Sequence, residues 1–303
     1  MIETQNLTKK FGNLTAVENL TLRIEEGEVF GFLGPNGAGK TTTVRMLCCL
    51  ISKTSGMARI GGYEIGSAAD QQKIRGIIGL LPENVGLYDD LSAYRNLDFY
   101  GRFNKVTEPQ RGERIGYFLK MLGLWDKKDV AAGTFSKGMK QKLAIARALI
   151  HDPQVLFLDE PTANLDPEAS KTVRDFILEL KKEKRTIFLN THNLDETEKI
   201  CDRVGMLKTK LLAVGTLDEL REPLHKRKTL VQVAKISDAI IAAMKKLGLN
   251  FEVTNNKLEI DITDPQKDNP DIAEAIIAAG GRLESLSSIS PSLEEVYLKL
   301  VRG

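Results

Sequence analysis

Nine consecutive residues near the N-terminus have types and spacing suited to holding phosphate groups. They are Gly34, Pro35, Asn36, Gly37, Ala38, Gly39, Lys40, Thr41 and Thr42, which fit the pattern G-x-x-x-x-G-K-[ST]. The glycines let the backbone turn sharply and bring N–H groups onto phosphate oxygens. Lys40 can reach the β- and γ-phosphates, Thr41 suits a Mg²⁺ ligand, and Thr42 can reach the α-phosphate. The segment predicts a nucleotide triphosphate site that uses Mg²⁺.

Two adjacent acids, Asp159 and Glu160, follow an apolar run, Val155–Leu158. In a P-loop enzyme that hydrolyses a nucleoside triphosphate, the first acid suits the hold on Mg²⁺, directly or through water. The second can polarise the water that attacks the γ-phosphorus. Adjacent strand residues point to opposite faces, so we expect the two carboxylates to serve different atoms.

Buried strands and helices alternate around these residues. Val29–Leu33, Val155–Leu158 and Thr186–Leu189 are apolar runs of strand length, and helical patterns span about 41–50 and 168–181. Residues 1–30 alternate as antiparallel strands, and helical spacing prevails between about 85 and 150. The pattern predicts an α/β fold of the P-loop NTPase type, with a mainly parallel sheet, N-terminal antiparallel strands and a helical subdomain.

The chain has 303 residues, and a single core stops growing at about this length, which favours a second, smaller domain. Composition changes near residues 220–228, so the expected domains are 1–222 and 223–303. The second has the order β-α-β-β-α-β, typical of a ferredoxin-like α+β unit, followed by a last helix from about Pro291. Asn255 and Asn256 suit the hairpin turn between its middle strands, and its second helix is expected at Ile272–Ala279.

Composition excludes several classes of protein. Lys and Arg number 43 against 41 Asp and Glu, so bulk charge gives no reason to expect a nucleic-acid partner. Three cysteines without metal or disulfide spacing fit a reducing compartment. The N-terminus has no signal-peptide pattern, and no apolar run approaches the roughly 18 residues of a membrane span. We therefore expect the chain to need another polypeptide to act at a membrane.

Further segments, taken with the phosphate loop and the acidic strand, resemble the ATPase subunits of ABC transporters. The similarity covers residues 1–220. The Phe135–Gln141 segment resembles the family's signature motif, Pro161 to Asp166 its D-loop, and Leu80–Glu83 its Q-loop. His192 resembles its switch histidine, and Phe11 lies where the family places an aromatic ring that stacks on adenine.

This resemblance implies that two ATPase subunits, identical or paralogous, clasp two molecules of ATP with Mg²⁺. Ser136, Lys137 and Gly138 would meet the γ-phosphate of the facing subunit, with Ser136 as N-cap of the helix through Gln141–Leu149. Glu160 would act as general base, His192 would orient the water, and Asp166 would shape the site across the dimer. Thr41, Asp159 and Glu83 would hold Mg²⁺, and Lys40 the phosphates.

The resemblance further implies a separate integral-membrane permease and a peripheral location on the cytoplasmic face. The family's groove for the permease corresponds to a segment that contains Leu87, Tyr88, Leu91, Tyr94, Phe99 and Tyr100, part of which we expect to be exposed. Three positions depart from the general pattern: Lys137, Met139 and Glu83. With the Ser292–Leu298 segment, they are similar to prokaryotic ABC-2-type exporters of drugs, sodium or lipids. That group's extra C-terminal domain suggests a role in assembly or regulation.

Three alternatives remain open on the sequence. The chain could be an ABC-type ATPase that does no transport, although it lacks both a long coiled-coil insertion and a second ATPase domain. It could be a nucleotide-dependent regulator, which the presence of both Lys40 and Glu160 disfavours. The phosphate loop alone would also permit a kinase, whereas the signature-like segment and His192 favour hydrolysis.

Overall fold

The computed structural model describes residues 1–222, 227–289 and 292–302. The chain divides into two compact units, Met1–Leu217 and Asp218–Gly303, slightly before the boundary expected at residue 222. Residue 223, where the second domain was expected to begin, and Pro291, where its last helix was expected to begin, lie outside the described residues. Within the described ranges, no helix is long and apolar enough to cross a bilayer.

The larger unit contains two sheets. Its strands are β1 (Ile2–Phe11), β2 (Leu14–Ile24), β3 (Val29–Leu33), β4 (Ser55–Ile60), β5 (Tyr63–Glu64), β6 (Ile78–Leu81), β7 (Val155–Asp159), β8 (Thr186–Thr191), β9 (Arg203–Lys208) and β10 (Lys210–Gly215). One sheet has the order β10-β9-β3-β8-β7-β6, and all its neighbours are parallel except the β10–β9 pair. The other is an antiparallel sheet of order β2-β1-β4-β5. The predicted combination of a mainly parallel sheet with N-terminal antiparallel strands is confirmed.

The helices of the larger unit are α1 (Lys40–Leu47), α2 (Ala68–Ile77), α3 (Ala93–Phe103), α4 (Glu108–Met121), α5 (Lys137–Leu149), α6 (Pro167–Lys182) and α7 (Leu194–Ile200). A short helix, α8 (Leu217–Arg221), begins at the boundary between the two units. Every residue of β3, β7 and β8 is buried, as expected for strands covered on both faces. The helical subdomain expected at about residues 85–150 contains α3, α4 and α5, which pack on one another around Leu97, Ile115 and Leu143.

The strand order explains how the site is assembled. β8 lies between β3 and β7, and the three strands are parallel, so their carboxyl ends meet at one edge of the sheet. The phosphate loop follows β3, Glu160 follows β7 and His192 follows β8. Residues more than a hundred positions apart are therefore neighbours at this edge, where ligands bind in open α/β sheets.

The smaller unit is an α+β layer structure. Its elements are β11 (Arg227–Val233), α9 (Asp238–Lys246), β12 (Phe251–Thr254), β13 (Lys257–Ile262), α10 (Pro265–Ala278), β14 (Leu283–Ile289) and α11 (Leu293–Arg302). The sheet order β12-β13-β11-β14 with all pairs antiparallel is that of a ferredoxin-like fold. Its core includes Val231, Leu258, Ile260 and Ile276. The predicted fold of this unit is confirmed.

One turn and one helix of the smaller unit can be compared with their predicted positions. Asn255 has φ 55° in the two-residue turn between β12 and β13, as predicted. Helix α10 starts at Pro265 rather than near Ile272, so the predicted start is wrong. The Asp264 side chain caps the helix by accepting the N–H of Gln266, and Pro265 occupies the first turn, where it needs no N–H partner. These signals outweigh Pro270 inside the helix.

Candidate functional site

The phosphate loop connects β3 to α1 and depends on a close backbone approach. Gly39 has φ 100°, a left-handed conformation, and a Cβ built on it would lie 2.2 Å from the Ala16 carbonyl oxygen. The side chain of Lys40 is folded into the loop, where Nζ donates to Gly34 O at 2.7 Å and Pro35 O at 3.3 Å. Burial lowers the pKa of Lys40, and the Glu160 and Asp159 carboxylates oppose that shift.

A cavity of about 390 Å³ borders the loop. Its lining contains most of the predicted nucleotide-binding residues: Phe11, Pro35, Asn36, Gly37, Ala38, Gly39, Lys40, Thr41, Thr42, Glu83, Asp159 and Glu160. Leu14, Thr15, Ala16, Asn190 and Thr209 complete it. A second cavity of about 780 Å³ shares Asn36, Thr41, Glu83, Asp159 and Glu160 and adds Lys137 and His192. The fold thus brings the phosphate loop, both acids and His192 together.

Both acids line these cavities, and their hydrogen bonds go to different residues at the end of β8. Strand β7 ends at Asp159, and Glu160 has a left-handed φ of 51°. Because the chain leaves the strand at Glu160, the alternation of side chains that holds within a strand does not apply to it. The Glu160 N–H donates to Asn190 O at 2.8 Å, which ties the turn to β8.

Asp159 is almost fully buried, with 4 % of its surface exposed. Burial raises the pKa of its carboxyl, whereas hydrogen bonds from Asn190 and Thr41 lower it and the Glu160 and Glu83 charges raise it further. The Asn190 side-chain amide donates to Oδ1. Asp159 is therefore a desolvated carboxylate beside the Thr41 hydroxyl.

Both oxygens of the Glu160 carboxylate have partners. His192 Nδ1 lies 2.8 Å from Oε1, and the Thr191 hydroxyl is 3.3 Å from Oε2. His192 is 64 % exposed at its side chain, whereas the Glu160 side chain is 17 % exposed. An exposed imidazole contacts a carboxylate at the edge of the phosphate cavity, an arrangement suited to orienting water.

The oxygen donors around Thr41 fit Mg²⁺. A hydroxyl and the carboxylates of Asp159 and Glu83 line one cavity, and hard oxygen ligands are what Mg²⁺ prefers. Among the described residues, no three His, Cys, Asp or Glu side chains converge as a metal-binding group. A cation here would take its other ligands from phosphate and water, as is usual for Mg²⁺ at nucleotide sites.

Phe11 also lines this cavity, at the end of β1 in the hairpin of β1 and β2. Its side chain is 49 % exposed, and Lys9 Nζ lies 4.7 Å from the ring centroid. Leu14, at the other end of the turn, is 67 % exposed and also lines the cavity. An exposed ring at a phosphate-binding cavity is compatible with base stacking, and that role stays a prediction.

The signature-like residues begin helix α5. The Ser136 hydroxyl accepts the N–H of Met139 at 3.3 Å, so its predicted N-cap is present. A Cβ on Gly138 would lie 2.9 Å from Ala169 Cβ, so glycine permits α5 to pack on α6. Asp166 caps α6 by accepting the Ala169 N–H at 2.8 Å. Lys137 lines a cavity beside the phosphate loop of its own chain, as do Lys140 and Gln141, whereas Ser136 and Gly138 line neither of the two cavities described above.

Comparison with known proteins identifies the family. Residues 17–163 match the family model described as ABC transporter, and residues 215–301 match that of the ATP-binding protein DrrA1-3-like, C-terminal domain. The linearmycin resistance ATP-binding protein LnrL of Bacillus subtilis is 32% identical over 99% of this chain and 98% of its own. The bacitracin transport ATP-binding protein BcrA of Bacillus licheniformis is 34% identical over 100% of this chain and 98% of its own.

The chain belongs to the ATP-binding subunits of ABC transporters. Members of this family bind and hydrolyse ATP, and this chain is an ATPase. Among solved structures, the dimeric post-hydrolysis state of the ATP-binding cassette MJ0796 bound to ADP and Pi is similar, with a TM-score of 0.66 and 27% identity. The similarity covers 72% of this chain and 99% of that one. The alternatives of a non-transport ABC-type ATPase and of a nucleotide-dependent regulator are not favoured.

Sequence reasoning missed several residues that hold the site of this ABC ATPase in place. Asn190 partners Asp159, and Glu196, 6 % exposed, accepts a hydrogen bond from the Thr162 hydroxyl just after the acidic strand. Thr209 lines the cavity and donates its N–H to Ala38 O at 2.9 Å. These contacts join the ends of different strands, so no local sequence pattern signals them.

Proposed function

We propose that this ABC ATPase powers export through a separate integral-membrane permease by hydrolysing ATP clasped between two subunits. One observation carries the proposal: Lys40, Asp159, Glu160 and His192 converge on adjoining cavities at the end of the parallel sheet. A cation for phosphate, a carboxylate near Thr41 and a carboxylate–imidazole pair are the groups that hydrolysis of a γ-phosphate needs.

Glu160 is the proposed general base. Its Oε1 would take the proton of the attacking water, while His192, 2.8 Å away through Nδ1, would hold the carboxylate and bond the γ-phosphate. Lys40 would leave its contacts with Gly34 O and Pro35 O for the β- and γ-phosphates, a better acceptor for a partly buried cation. Gly34 and the other glycines would supply backbone N–H groups to the same oxygens.

Mg²⁺ is the proposed metal, held by Thr41 and Asp159, directly or through water, with Glu83 on the exposed side of the cavity. When bound it would neutralise charge that develops on the transferred phosphoryl group. The Asp159 carboxylate is kept in place by Thr41 and Asn190, which supports this assignment.

The signature-like residues are proposed to act on a second subunit, either a copy or a paralogue. Ser136 and Gly138 line neither cavity beside their own phosphate loop, and Lys137 is exposed. At the start of a thirteen-residue helix, α5, such groups can receive the γ-phosphate of a facing subunit. Asp166, at the start of α6 beside Gly138, would lie in the same interface.

The permease is proposed to dock on an aromatic patch formed by Tyr88, Phe99 and Tyr100. Tyr88 is 48 % exposed, Phe99 is 43 % exposed, and their ring centroids lie 5.0 Å apart. Through this partner the subunit would work on the cytoplasmic face of the membrane. Exchange of Tyr88 for Glu should leave basal ATP turnover intact and abolish transport. An unchanged transport rate would rule the patch out.

The C-terminal domain is proposed to assemble or regulate the subunits. The smaller unit has its own core, built from β11, β13, α9 and α10, so the ATPase domain does not depend on it for the nucleotide cavity. Deleting residues 224–303 should preserve ATP binding. A truncated chain that folds but binds no ATP would contradict this role.

The decisive experiment compares the wild-type chain with Glu160→Gln. Glutamine keeps the size of the side chain and removes its basicity. We expect loss of ATP turnover by at least about 100-fold, the lower end of the range for a general base, and an ATP-bound dimer detectable by light scattering. Wild-type turnover in Glu160→Gln without an ATP-dependent dimer would overturn the base assignment and the clasp.

A further inference from the structure

Asn190 holds both acids of the site. It lies opposite Asp159 in the ladder between β7 and β8, and its amide Nδ2 donates to Asp159 Oδ1. The two side chains are almost fully buried, with 1 % of Asn190 and 4 % of Asp159 exposed. The main-chain carbonyl of Asn190 accepts the Glu160 N–H at 2.8 Å. Substituting the Asn190 side chain therefore perturbs Asp159 and leaves the backbone tie to Glu160 in place.

The other end of the same amide has no partner. Asn190 Oδ1 is buried and accepts no hydrogen bond within the described part of the chain. Leaving a buried acceptor unsatisfied costs about 1–3 kcal/mol, so native proteins seldom do it without a reason. Asn190 lines the cavity of about 390 Å³ that also contains Thr41 and Asp159. A ligand of that cavity can supply the missing donor.

We propose that Asn190 is a positioning residue for the magnesium nucleotide. Its amide N–H₂ orients Asp159, and its amide oxygen accepts a hydrogen bond from the water shell that Mg²⁺ keeps at nucleotide sites. The inference rests on the proposed function, in which this cavity binds ATP with Mg²⁺.

An amide suits both tasks for a chemical reason. It carries a donor and an acceptor on one planar group, and it stays neutral, so it adds no charge beside Asp159 and Glu160. A carboxylate in its place would repel Asp159. A leucine of similar size would offer neither hydrogen bond.

The test is a Mg²⁺ titration of binding, with trinitrophenyl-ATP fluorescence as the readout. In Asn190→Leu we expect the Mg²⁺ concentration for half-maximal enhancement to rise about 10- to 100-fold, the range for lost outer-shell partners. Binding of the analogue in EDTA should change by less than about twofold, because the phosphate loop is untouched. Asn190→Ala removes the same two hydrogen bonds without adding charge or bulk and should shift the Mg²⁺ midpoint in the same direction, so the test does not depend on the leucine variant folding.

Thr186→Val is the matched control. Thr186 lies at the other end of β8, is 1 % exposed, and accepts the Gly27 N–H at 3.0 Å through its hydroxyl. Its substitution removes a buried hydrogen bond from the same strand and should leave the Mg²⁺ midpoint at the wild-type value. A wild-type midpoint in both Asn190 variants, or equal weakening with and without Mg²⁺, would overturn this inference alone. A wild-type chain that binds no analogue would overturn the proposed function with it.

Discussion

Two glycines of the phosphate loop allow the cost of a close backbone approach to be separated from the cost of a left-handed conformation. Gly37 and Gly39 both have positive φ, 81° and 100°. A Cβ on Gly37 would meet nothing within 4 Å, whereas on Gly39 it would lie 2.2 Å from Ala16 O and 3.0 Å from Val17 Cγ2. Exchange for alanine therefore strains the backbone at both positions, and in Gly39→Ala the new Cβ also collides with the main chain.

The magnitudes follow from these distances. A left-handed non-glycine residue costs about 1–2 kcal/mol, and the stiffer unfolded chain of an alanine variant offsets about 0.4–1 kcal/mol of that. Gly37→Ala should therefore lower the free energy of unfolding by about 1 kcal/mol. In Gly39→Ala the colliding atom is a main-chain oxygen that cannot rotate away, so an overpacking cost of about 1–3 kcal/mol is added. Its total loss should be about 2–4 kcal/mol.

Urea unfolding of the nucleotide-free chain, followed by tryptophan fluorescence, measures both values. Trp125 is the only tryptophan of the chain and lies in the larger unit, so the signal reports on the ATPase domain and not on the C-terminal unit. Equal losses for the two variants would refute the reasoning, because they would mean that the loop yields at Ala16 without cost. A larger loss for Gly37→Ala would refute it as well.

Three further predictions concern single side chains. Burial lowers the pKa of His151, so its stabilising contribution is present above the usual histidine pKa and is lost as pH falls below it. His151→Gln should therefore flatten the decline in the free energy of unfolding between pH 7 and pH 5. An unchanged slope would contradict this. Ser136→Ala should cost about 1 kcal/mol in urea unfolding through the lost N-cap, and it should also weaken the ATP-dependent dimer seen by light scattering. Phe11→Ala should weaken ATP binding about tenfold in fluorescence titrations, with Phe11→Trp near wild type, and equal affinities would exclude stacking.

The parts of the fold and site that the sequence predicted depend on local chemistry. The phosphate loop is recognisable from its own glycines and Lys40, and Asn255 marks the hairpin turn of the ferredoxin-like unit. The hydrogen bond between Asn190 and Asp159 joins residues 31 positions apart, and the one between Thr162 and Glu196 spans 34. Such pairs depend on which strands become neighbours, which hydrophobic periodicity does not specify.

The prediction that Asp159 and Glu160 serve different atoms rested on the alternation of side chains along a strand. Alternation along a strand is a rule for residues inside the ladder, and Glu160 is the first residue outside it. Its left-handed φ of 51° is held by its N–H bond to Asn190 O, a contact between strands. A sequence gives the end of a buried strand only to within a residue or two, so it did not show that Glu160 lies just outside the ladder.

The departures of this chain from the general family pattern have opposing electrostatic effects at one place. Glu83 adds a carboxylate to a cavity that already contains Asp159 and Glu160, and its charge raises the pKa of Asp159. Lys137 adds an ammonium group to the same cavity. Since the general pattern has uncharged residues at both positions, the two departures together leave the net charge of the cavity unchanged. At an effective dielectric constant of about 20, such charges act on a phosphate over several ångströms. The effects of Glu83 and Lys137 on a bound phosphate should therefore partly cancel.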